Sequence, residues 1–153
     1  MAAPTKPSSI EKHADAVRKE LSVPKQAELF TAAVEAGYLA ALADGAEDAG
    51  ERAALVKAIE VLSTGLVLEW ETEELLAQCW ARISGEGADA RMAAVGATLK
   101  ELGYAEAGLF VAALVAVATN GIDAHEAAVL EKIGAAAGVA KSQVGAIVKR
   151  ARA

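Results

Sequence analysis

Four carboxylates fall within a short stretch, at Asp44, Glu47, Asp48 and Glu51, and a thinner set follows at Asn120, Asp123 and Glu126. Oxygen donors crowded in this way suit a hard divalent cation, calcium first, which takes roughly six to eight oxygen ligands from carboxylates and carbonyls. Neither set is an EF-hand loop, because the Asp-x-Asp-x-Asp-Gly pattern with its distal Glu is missing from both. The same residues also have a purely structural use. Asp48 and Asp123 stand where a carboxylate can accept from the exposed amides of a first helical turn. Glu51 and Glu126 follow three residues on, at the capping-box position, and all four acids suit the positive end of a helix dipole. The functional expectation is a cation shared by the two corners, and helix capping without metal is the alternative.

Other chemistries find less support. His13 reads as solvated among charged neighbours, and His125 as a surface residue beside Glu126 that could assist a metal. No His-x-x-x-His or Cys-His spacing for zinc occurs. The lone Cys79 lies on the apolar face of its helix, where an inert buried thiol is expected, and it cannot form an internal disulfide. No glycine-rich phosphate loop is present, so nucleotide binding by a standard loop is not expected. Glu47 and Glu51 are a carboxylate pair of the kind used in acid–base catalysis, but no nucleophile accompanies them. The chain is therefore read as a non-enzyme. Trp70 and Trp80 flank Glu71, Glu73 and Glu74; core packing is the favoured reading and the rim of a partner site the other. Lys141, Lys149, Arg150 and Arg152 gather near the C-terminus, where basic residues complement a helix dipole, although a docking site for an acidic partner is a second reading.

The elements that must hold these groups are helical throughout. A tail over residues 1–8 is read as flexible, and residues 9–153 as one domain. After Ser8 and Glu11, at capping-box spacing, a helix is expected from Ser9 to Leu21, ended by Val23-Pro24. The next, from Lys25 to Ala43, carries Leu29, Phe30, Ala33, Val34, Gly37, Tyr38 and Ala41 as a buried stripe. A helix from Asp48 to Ser63 follows. Residues 66–70 read as a connector or a helical turn, after which Thr72 caps a helix to Ile83 that Gly85 and Gly87 break. Further helices are expected over 88–102, 105–118, 123–137 and 142–150, with Gly103 ending the first of these and Gly138 closing the third. The one over 105–118 is apolar almost all round, which places it at the centre of the core.

Composition agrees. Of 153 residues 39 are alanine, aromatics make up 4% and only three are proline. Alanine loses no side-chain entropy in a helix, and strand-forming residues are scarce. A net charge of −6 repels nucleic-acid phosphates. The longest apolar run, Gly108 to Ala118, is far short of the roughly 20 residues of a membrane span. The start resembles no secretory signal, and the single cysteine suits a reducing compartment, so a cytoplasmic location is expected. The mean hydropathy of +0.30 reflects alanine and a well-filled core.

The sequence also matches itself. Shifted by half its length, Leu39 meets Leu114, Asp48 meets Asp123, Glu51 meets Glu126, Leu55 meets Leu130 and Lys57 meets Lys132. Each copy is an apolar helix, a glycine-containing turn and an Asp-x-x-Glu that opens a second helix. The expected fold is all-α, a single compact bundle of seven or eight short helices with an internal helical-hairpin repeat.

Ala43-Asp44-Gly45 followed by Asp48, Glu51 and Arg52 resembles the signature of TerB-like tellurite-resistance proteins, and Thr119 to Glu126 looks like that family's second copy. The resemblance covers about residues 25–150. It implies an all-helical fold, an acidic patch proposed to hold divalent metal, and a cytoplasmic stress-response role linked to tellurite and other toxic anions, without an established reaction. Asn120 departs from the family, where Asp is typical, and the second turn is one residue short. Asp44, Glu47, Asp48 and Glu51 are the expected main ligands, helped by Asp123 and Glu126. A protein partner in a stress-response complex and homo-oligomerisation are both compatible with this reading. The alternative is a helical protein-interaction or scaffold domain, with no metal, that binds through an alanine-rich or Trp-lined face.

Overall fold

In the computed structural model, residues 26–42, 53–57, 59, 69–120 and 124–152 are described. Helices run over Gln26–Ala41 (α1), Glu69–Glu86 (α2), Ala88–Leu102 (α3), Ala105–Asn120 (α4), Ala124–Ala136 (α5) and Lys141–Arg152 (α6). Residues 53–57 are helical as well, and no strand occurs among the described residues. The expected all-α bundle is what the chain forms. The expected tail and the helix over 9–21 lie outside the described residues.

The centre is α4. From Leu109 to Ala116 every residue is buried, as its unbroken apolar girth requires. α1 packs along it, and the fit depends on glycine. A Cβ on Gly37 would sit 2.7 Å from Val115 Cβ and 3.0 Å from the Ala112 carbonyl oxygen, so only a residue without a side chain allows this approach. At the other end of the pair, a Cβ on Gly108 would lie 3.5 Å from Leu29 Cδ1. Leu29 precedes Gly37 in α1 as Gly108 precedes Val115 in α4. The two helices therefore run in the same direction, and the chain leaves both at one end, through Leu42 and Asn120. Around this pair, α3 packs on α5, α6 closes over α4, and α2 lies against α1 and α3. Buried side chains from α1 through α6, with Leu55, Val56 and Ile59, form one continuous core.

Several boundaries and faces differ from expectation. α2 starts at Glu69, so position 72 lies within the helix and not at the expected cap before it. Gly85 stays helical, and the break comes at Gly87, whose φ of 94° suits glycine. Gly103, also at positive φ, ends α3 by donating to the Leu99 and Lys100 carbonyls, as expected of a glycine stop. α1 is buried well beyond its predicted stripe: Ala32 to Ala40 are all covered, including Ala36 and Glu35. Trp80 is not in the core. It is 52% exposed, because Leu76, Cys79 and Ile83 point inward and the next residue after Cys79 is turned roughly 100° away.

Candidate functional site

Asp44, Glu47, Asp48, Glu51 and Asp123 lie outside the described residues. Asn120 is the last residue of α4, and Glu126 is in the first turn of α5. Glu126 is 2% exposed, an unusual position for a carboxylate, since charged groups resist leaving water. It sits next in sequence to the segment that leaves α4, at the end where α1 also delivers the chain. His125 is exposed beside it, as expected. Among the described residues no group of three or more His, Cys, Asp or Glu side chains is placed to hold a metal ion.

A second buried carboxylate is absent from the sequence reading. Glu35, in the middle of α1, is 2% exposed and accepts from two arginines. Arg91 from α3 grips it with two prongs, Nε donating to Oε2 at 2.6 Å and Nη2 to Oε1 at 2.9 Å. Arg82 from α2 adds Nε to Oε1 at 3.0 Å. This forked geometry suits guanidinium and not ammonium. Arg91 also reaches Glu86 at the surface, at 3.3 Å. Its hydrogen bonds to Glu35 hold the guanidinium pKa above its ordinary value, against the opposing effect of burial.

Cys79 lies beside this cluster, with Arg82 Nη2 3.6 Å from its sulfur. Burial first, and the negative charge of Glu35 second, push the thiol up to about 11. It is thus an inert thiol, as the sequence suggests, and no nucleophile. A cavity of about 410 Å³ opens next to the triad, bounded by Glu28, Thr31, Val95 and Thr98 as well as the charged groups. Glu35 and the surface Glu86 together balance the two arginines, so the cluster ties α1 to α2 and α3 and leaves little charge for a ligand. A larger hollow, about 590 Å³, lies between the α3–α4 turn and α6. There Gln143 Nε2 donates to Glu106 at 3.1 Å, and neither histidine nor cysteine lines it.

The signal for Glu35 is visible in retrospect as a lone acid in the run Ala-Ala-Val-Glu-Ala-Gly. Its partners are 47 and 56 residues away, at spacings with no local pattern. Compared with known proteins, the chain matches no family model, no curated protein and no solved structure.

Proposed function

We propose that the chain is a non-catalytic, cytoplasmic stress-response module of the tellurite-resistance TerB type. In this reading it holds a divalent cation, calcium first, where the corners of its two repeats come together. The supporting observation is the shared direction of α1 and α4, with a buried Glu126 just beyond α4. Both acidic segments begin at that one end of the bundle. Asp44, Glu47, Asp48 and Glu51 would supply most of the ligands, with Asp123, Glu126 and the Asn120 amide completing the set. A bound cation would offset the mutual repulsion of these acids and the cost of burying one of them. No helix among the described residues is long and apolar enough to cross a membrane.

Calcium titration of the chelator-treated chain tests this. A saturable heat is expected, with thermal stabilisation worth about 2.7 kcal/mol at a hundredfold excess over the dissociation constant. Asp44→Asn with Asp48→Asn should abolish both signals, and Glu126→Gln should weaken them. No heat and an unchanged melting temperature would reduce the acids to helix caps and end the cation reading.

A further inference from the structure

We draw no further inference here: the strongest candidate, the hollow of about 590 Å³ between the α3–α4 turn and α6, has its Glu106 carboxylate held by Gln143 and its Arg150 guanidinium laid over Phe110, and nothing in the structure shows what would fill it.

Discussion

In the register that lays Leu39 on Leu114, Glu35 of α1 falls on Phe110 of α4. Both are buried, at 2% and 1% exposure, and both are met by arginine. The physics differs. Glu35 brings a charge into the core and is closed by two guanidiniums within hydrogen-bonding distance. Phe110 brings a ring, and the Arg150 guanidinium lies over it, 3.9 Å from the centroid, while the arginine itself remains exposed. A buried carboxylate needs a partner, because a lone charge in the interior is strongly disfavoured. A buried ring needs none and gains modestly from one. Two helices related by a repeat have thus acquired different dependence on the rest of the chain: α1 on α2 and α3 through charge, α4 mainly on apolar contact.

Breaking the charged side should have the largest effect. Glu35→Gln leaves Arg82 without its carboxylate and Arg91 with only the exposed Glu86, and a loss of about 3 kcal/mol is expected in urea unfolding. Arg91→Met should cost more than Arg82→Met, since Arg91 makes the forked contact and its side chain is 15% exposed against 33%. Equal losses would mean that the fork carries no special weight. On the other helix, Arg150→Met should cost only about 0.5–1 kcal/mol, the range for an exposed cation on a ring. A loss as large as that of Glu35→Gln would erase the contrast.

The smallest effect concerns Cys79, which borders the charged site. Its thiol is raised in the folded chain, so the unfolded chain releases that proton first as pH rises. The stability tied to this group is complete below the unfolded value of 9.0 and declines as pH climbs toward about 11. Cys79→Ala should remove that component of the pH dependence. A thiol reagent at pH 8 should label Cys79 only after unfolding, and rapid labelling of the folded chain would contradict the burial that the Glu35 cluster shares.

Which parts of this molecule could be read in advance follows from the range of the forces involved. The α4 helix and its central place were legible, because an apolar girth from Gly108 to Ala118 has no other stable location. Glycine stops at Gly103 and Gly138 were legible because the backbone conformation is local. Trp80 was misplaced, since the edge of a buried stripe is set by how far the neighbouring helices wrap around it. Glu35 was missed for the related reason: it lies off the predicted stripe of α1, on a side that becomes interior only when α2 and α3 arrive. Of the acidic candidates, Glu126 proved buried, which its capping position did not require.

Periodicity, glycine stops and alanine content determined by themselves that this chain is helical and which stretch lies at its centre, because these act within a few residues along the backbone. The tertiary structure alone decided that α1 and α4 run side by side in one direction, that an acid in α1 is enclosed by arginines from two other helices, and that a tryptophan is left at the surface. Those outcomes depend on close approach between segments far apart in sequence, through contacts whose partners no local pattern specifies.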